Sequence, residues 1–128
     1  MKKLSTLFVL TLLFFSCNKV EGEGGTSSII GTVTANEYKN SGALKATYLA
    51  ADEDVYIIYG KDNTTFNDKV STSYDGTYRI DNLVEGTYKL FSYSKCKDCP
   101  SNTKEMLVEV KITKNGEVVT APKLIIEK

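Results

Sequence analysis

Asp75-Gly76-Thr77-Tyr78-Arg79-Ile80-Asp81-Asn82-Leu83-Val84-Glu85-Gly86-Thr87-Tyr88-Lys89-Leu90 is the stretch that decides how this chain folds. Asp75-Gly76 tolerates the positive φ angles of a tight turn, so it predicts a hairpin between strands at 70–74 and 77–80. Glu85-Gly86 predicts a second turn, followed by a strand over 87–93. Ile80, Leu83, Tyr88 and Leu90 are the residues expected to fill a core.

On both sides of this stretch the chain keeps the same rhythm of short apolar runs and polar turns. Ile29, Ile30 and Val33, with Thr32 and Thr34, predict a β-branched first strand over 28–35, followed by a polar loop at 36–42. The segment 44–51 is ambiguous, because its alanines also suit a helical turn. Val55 to Tyr59, ended by Gly60, reads as a short strand buried on both faces, and 61–67 as a loop. Met106, Val108, Val110 and Ile112 alternate with Glu105, Leu107, Glu109 and Lys111, the period-two pattern of a half-buried strand. Lys114-Asn115-Gly116-Glu117 predicts a type I′ hairpin into a last strand at 118–126. Pro122 cannot donate a ladder hydrogen bond, so that strand should lie at an edge or break there. About seven strands at spacings near ten residues, without a long helix, predict an all-β protein with an antiparallel β-sandwich over 28–128.

The central sixteen residues resemble the "DGxY, then NL, then GxY" core of carboxypeptidase regulatory-like domains, also described as transthyretin-like or prealbumin-like. Ile30-Gly31-Thr32-Val33 is similar to the opening strand of that family, and Asp54-Val55-Tyr56-Ile57 to a later one. The resemblance implies an immunoglobulin-like or prealbumin-like sandwich in which Asp75, Gly76, Tyr78, Leu83, Gly86 and Tyr88 are structural. None of them is a chemical site.

The N-terminus reads as an address. Met1-Lys2-Lys3 is a positive start, Leu4 to Phe15 is apolar but for Ser5, Thr6 and Thr11, and Ser16-Cys17 follows at once. This order is that of a secretory signal peptide over 1–16. A twelve-residue apolar helix would reach only about 18 Å, too short for a hydrocarbon core of about 30 Å. Ser16 before Cys17 resembles the lipobox of bacterial lipoproteins, in a loose form found in Bacteroidota-like bacteria, which implies lipidation at Cys17. Residues 17–27, rich in Gly, then read as a flexible tether. Glu21 and Glu23 resemble the surface-export signal of such lipoproteins. The expected place is the cell envelope, anchored to the outer membrane by lipid, at the cell surface or otherwise on the periplasmic face.

Three cysteines are odd for an exported chain until Cys17 is assigned to the lipid. Cys96 and Cys99 then remain, and an oxidising compartment predicts a disulfide between them. A thioredoxin-like role for Cys96-Lys97-Asp98-Cys99 would need a helix after a strand, which the sequence does not offer. A zinc site would need two further ligands.

Sixteen basic and sixteen acidic residues leave no net charge, and loss of Lys2 and Lys3 with the signal peptide leaves a balance of −2. That argues against a nucleic-acid partner, which needs a basic excess. There is no His, so the commonest general base and metal ligand are missing together. Ser92 with Lys95, and Ser101 with Lys104, match a Ser-x-x-Lys pattern, but positions i and i+3 of a strand point to opposite faces. Asp52, Glu53 and Asp54, or Asp62, Asn63, Asn67 and Asp68, could offer oxygen ligands to calcium, yet without calcium-loop spacing. The expectation is therefore a protein that is not an enzyme, without metal or cofactor. Of eight tyrosines, Tyr56, Tyr78 and Tyr88 are expected to pack, leaving Tyr38, Tyr48, Tyr59, Tyr74 and Tyr93 as surface rings for stacking on a ligand. Two readings follow: an accessory module for another envelope protein or, as the alternative, a carbohydrate-binding module at the cell surface.

Overall fold

A computed structural model describes residues 20–128. The signal peptide expected at 1–16 and the lipidation expected at Cys17 lie outside the described residues. Nine strands follow in order: β1 Glu23–Tyr38, β2 Leu44–Leu49, β3 Asp54–Tyr59, β4 Asp68–Ser71, β5 Thr77–Leu83, β6 Gly86–Lys95, β7 Thr103–Ile112, β8 Val118–Thr120 and β9 Leu124–Glu127. They form an all-β sandwich of a five-stranded and a four-stranded sheet, the second in the order β4-β3-β6-β7.

The five-stranded sheet is built around β1. Val33 donates its N–H to Gly76 and accepts from Ala50 through its carbonyl, and both groups of one strand residue point the same way, so β5 and β2 share one side of β1. β8 and β9 run parallel to β1 on the other side. Ser28 pairs with Val118 and Val33 with Leu124, so the register slips by one residue at Pro122. This is the break expected at that proline, which makes the last segment two strands. The count therefore exceeds seven, and the ambiguous segment 44–51 contributes a strand. An all-antiparallel sandwich is also corrected, since β8 and β9 are parallel to their neighbour.

Two turns expected to be hairpins join strands of different sheets instead. Asp75-Gly76 does make a tight turn, with Gly76 at φ +76° and Asp75 Oδ1 accepting from the Thr77 N–H at 3.2 Å and its hydroxyl at 2.7 Å. It is not a hairpin, however, because β4 pairs with β3 in one sheet and β5 with β1 in the other. Glu85-Gly86 likewise carries the chain from β5 to β6 across the sandwich, and Lys114 to Glu117 from β7 to β8. Gly116 has φ +77° but Asn115 has no positive φ, so that turn is not type I′. A turn dipeptide sets local dihedrals. Whether the flanking strands pair is settled by which sheet has an apolar face for each.

Part of the span 17–27 that is expected to be a flexible tether is strand instead. Strand β1 begins at Glu23, and before it the Gly22 N–H donates to the Tyr88 hydroxyl at 3.0 Å while the Gly22 carbonyl accepts from the Val84 N–H at 3.0 Å. Gly22 is tied to Tyr88 and Val84, and Glu23 and Ser27 both pair with Leu83 of β5 across an irregularity, and these ties outweigh the glycine-rich composition that reads as a linker.

Both sheets feed one core. Ile29, Val33, Ile80, Leu83, Leu124 and Ile126 come from the first sheet, and Val55, Ile57, Tyr88, Leu90, Val110 and Ile112 from the second. In β7 the even positions face inward and Glu105, Leu107, Glu109 and Lys111 outward, as the alternation predicts. The central stretch 75–90 sits in this frame: Tyr78, Leu83 and Tyr88 are buried, and Gly76 and Gly86 occupy turns.

Candidate functional site

The outward face of the four-stranded sheet is not the polar surface that a solvated sheet face usually presents. On β3, Val55 and Ile57 point into the core, so Tyr56 points out; on β6, Tyr88 and Leu90 point in, so Phe91 and Tyr93 point out. Strand pairing lines these positions up. Lys69 lies opposite Tyr56, Tyr56 opposite Phe91, and Phe91 opposite Leu107, giving one row across all four strands.

The rings form a connected cluster. Tyr56 stacks on Phe91 with centroids 4.9 Å apart and planes 10° from parallel. Phe66, from the loop before β4, meets Tyr56 edge-on at 4.8 Å. Tyr93 meets both Tyr56 and Phe91 edge-on at 5.4 Å. Such offset and edge contacts contribute about 0.5–1.5 kcal/mol per pair beyond area burial, which fixes the rings as a rigid surface. Phe91 is 3% exposed although it lies outside the core cluster, whereas Phe66, Tyr93 and Leu107 remain 46%, 44% and 50% exposed. Around them stand Lys69, whose ammonium lies 6.0 Å above the Tyr56 ring and 3.2 Å from Asp54, and the cross-strand neighbours Lys89, Glu105 and Glu109.

Of the five tyrosines expected at the surface, Tyr93 alone belongs to this cluster. Tyr38 and Tyr48 are exposed on β1 and β2, and Tyr74 is 91% exposed in the turn after β4. Tyr59 is corrected: it shares the inward parity of Val55 and Ile57, packs against the core edge-on to Tyr88 at 5.9 Å, and burial pushes its hydroxyl pKa up. Tyr56, expected to pack inside, packs instead on the outer face. Phe66 and Phe91 belong to the cluster without being tyrosines, so the tyrosine pattern alone does not reveal them. The parity of Phe91 and Tyr93 against Tyr88 and Leu90 is the signal that finds the outer row.

The other candidates serve the fold. Ser92 is buried and its hydroxyl donates to the Asp54 carbonyl at 2.8 Å; Ser101 lies in a short 3-10 turn over Pro100–Asn102. Asp54 accepts from the Ser71 hydroxyl at 3.0 Å, Glu53 pairs with Lys128, and Asn67 accepts from the Tyr59 N–H at 2.8 Å. Among the described residues, no three of His, Cys, Asp and Glu converge as a metal site. Cys96 and Cys99 form the disulfide, with Cα atoms 5.5 Å apart.

The chain matches no protein-family model and no curated protein. Among solved structures it is similar to a protein from Pseudomonas aeruginosa described as a candidate carbohydrate binding protein, with 13% identity, a TM-score of 0.47, and coverage of 84% of this chain and 91% of the other. Similarity of that order assigns neither a family nor a ligand.

Proposed function

We propose that this protein is a non-enzymatic envelope lipoprotein whose domain docks another envelope protein through the outward face of the four-stranded sheet. One observation carries the reading: Tyr56, Phe66, Tyr93 and Leu107, with the buried Phe91 beneath them, make a rigid aromatic and aliphatic surface where the sheet would otherwise be polar. A flat apolar centre with charges of both signs at its rim has the anatomy of a protein interface, with aromatic anchors inside and polar groups outside. A small-molecule site would be concave. An anionic membrane surface would call for a basic rim, and here Glu105 and Glu109 accompany Lys69 and Lys89.

The proposal includes the anchor. Cys17 stands five residues before Gly22, a reach of at most about 17 Å. A lipid at Cys17 would therefore hold the end of the domain near Glu21 and Gly86 close to the bilayer. Replacing Cys17 by Ala should release the protein from the membrane fraction; retention with unchanged processing would refute the lipoprotein assignment.

The docking face is tested in intact cells with a photo-cross-linking amino acid placed at Tyr93 or Leu107, and at Arg79 on the other sheet as control. We expect one envelope protein attached from 93 and 107 and none from 79, with the adduct at 93 lost on adding Leu107→Glu. Absence of any protein adduct would overturn docking and move the weight to carbohydrate binding.

A further inference from the structure

At the other end of the sandwich from Gly22 lies a cleft that the docking face does not use. Its volume is about 600 Å³, within the range of small-ligand sites. One wall is the turn between β1 and β2, with Tyr38, Lys39 and Asn40; the other is the loop between β6 and β7, with Lys95, Lys97 and Asn102. The end of β9 closes it with Glu127 and Lys128.

The charge here is one-sided. Four lysines line the cleft against one carboxylate side chain, Glu127. Lys128 is paired with Glu53, but Lys39, Lys95 and Lys97 have no ion pair among the described residues. In a chain with equal numbers of acids and bases this is a local excess, and a concave wall concentrates its field.

The loop that carries Lys97 and begins just after Lys95 is held in place by more than its packing. Beyond the disulfide, the Cys96 N–H donates to the Asn102 carbonyl at 2.9 Å and the Asn102 N–H to the Cys99 carbonyl at 3.0 Å. Ser101 and Asn102 both sit at positive φ, +61° and +56°. Two adjacent non-glycine residues in the left-handed region persist only where the surroundings over-determine them, and such positions gather at ligand sites. Across from the loop, Tyr38 keeps 42% of its surface exposed.

We infer that this cleft binds an acidic saccharide. The carboxylate of a sugar acid sits among Lys39, Lys95 and Lys97, Tyr38 offers its ring to the sugar face, and the Asn40 and Asn102 amides serve the hydroxyl groups. The lysines select the charged sugar over its neutral counterpart. No residue is shared with the docking face, so either site can fail without the other.

The test uses the mature chain and a trimer of galacturonic acid, with a trimer of galactose as the neutral control, followed by calorimetry and by backbone NMR shifts. The acidic trimer should bind, perturb residues 38–40, 95–97 and 102, and weaken with added salt. Lys95→Ala with Lys97→Ala, and separately Tyr38→Ala, should each lower affinity roughly tenfold while leaving the denaturation midpoint unchanged. Cys96→Ser with Cys99→Ser, folded by the same criterion, should weaken binding by freeing the loop. Equal binding of the neutral trimer, shifts located elsewhere, affinity indifferent to these substitutions, or no binding of the acidic trimer would each overturn the inference.

Discussion

Asp75-Gly76-Thr77-Tyr78 and Glu85-Gly86-Thr87-Tyr88 are nearly the same four residues, ten positions apart, and each turns the chain and sends a tyrosine into the core. Their hydroxyl groups meet opposite fates. That of Tyr88 accepts from the Gly22 N–H at 3.0 Å and donates to the Val84 carbonyl at 2.7 Å. That of Tyr78 is buried without a hydrogen-bond partner, lying against Gly31 where any side chain would collide with it, and burial pushes its pKa up to about 12. A local motif delivers a ring, and distant chain decides what the ring's polar end finds. For Tyr88 that chain is a segment 66 residues earlier.

The comparison can be broken most forcefully at Gly31. A Cβ there runs into both the hydroxyl and the ring of Tyr78, so Gly31→Ala should cost about 2–3 kcal/mol, the penalty of overpacking a fitted core. Urea denaturation measures it; a loss under about 0.5 kcal/mol would mean that Tyr78 readily moves aside. Next comes Tyr88→Phe, which strands a buried N–H and carbonyl and should cost about 1–3 kcal/mol. Hydrogen exchange at Gly22 should accelerate in this variant, and unchanged protection there would show that Tyr88 does not hold the N-terminal segment.

Tyr78→Phe should be the mildest, within about 0.5 kcal/mol of the parent, because it removes a hydroxyl that has no partner. Its alkaline behaviour sharpens the contrast. The fold prefers the neutral phenol and raises its pKa from 10 to about 12, so an unfolded Tyr78 ionises first. Stability is full below pH 10 and falls as pH rises toward about 12. Burial raises the pKa of Tyr59 and Tyr88 as well, so all three contribute to the loss. Tyr78→Phe should lose less than the parent between those pH values, and identical pH profiles would contradict the burial of that hydroxyl.

The same division between local and distant causes governs what the sequence makes legible. Alternation along 105–112 assigns every side chain of β7 to a face, because a period of two needs no partner to be read. Pro122 marks its break because a missing N–H is a property of one residue. Gly76, Gly86 and Gly116 mark turns for the same reason, but not that each carries the chain from one sheet to the other. Residues 22–27 look like linker because the groups that hold them, Tyr88 and Val84 among them, are some sixty residues away. The outer-face cluster is half legible. Parity puts Tyr56, Phe91 and Tyr93 outward, while Phe66 joins from a loop whose path no periodicity records. The cleft joins a turn, a loop and a strand end, and no linear pattern connects Lys39 with Lys95.

The pairing of β1 with β8 and β9 sets the order in which this fold can be assembled. One side of the first strand to leave the ribosome is completed by residues about ninety positions later, so no early part of the chain can close the five-stranded sheet alone. Contacts so distant in sequence place such a sheet among the slower-folding topologies. Until nearly all of the chain is present, β1 therefore keeps one edge open, and the fold is completed by its last strands.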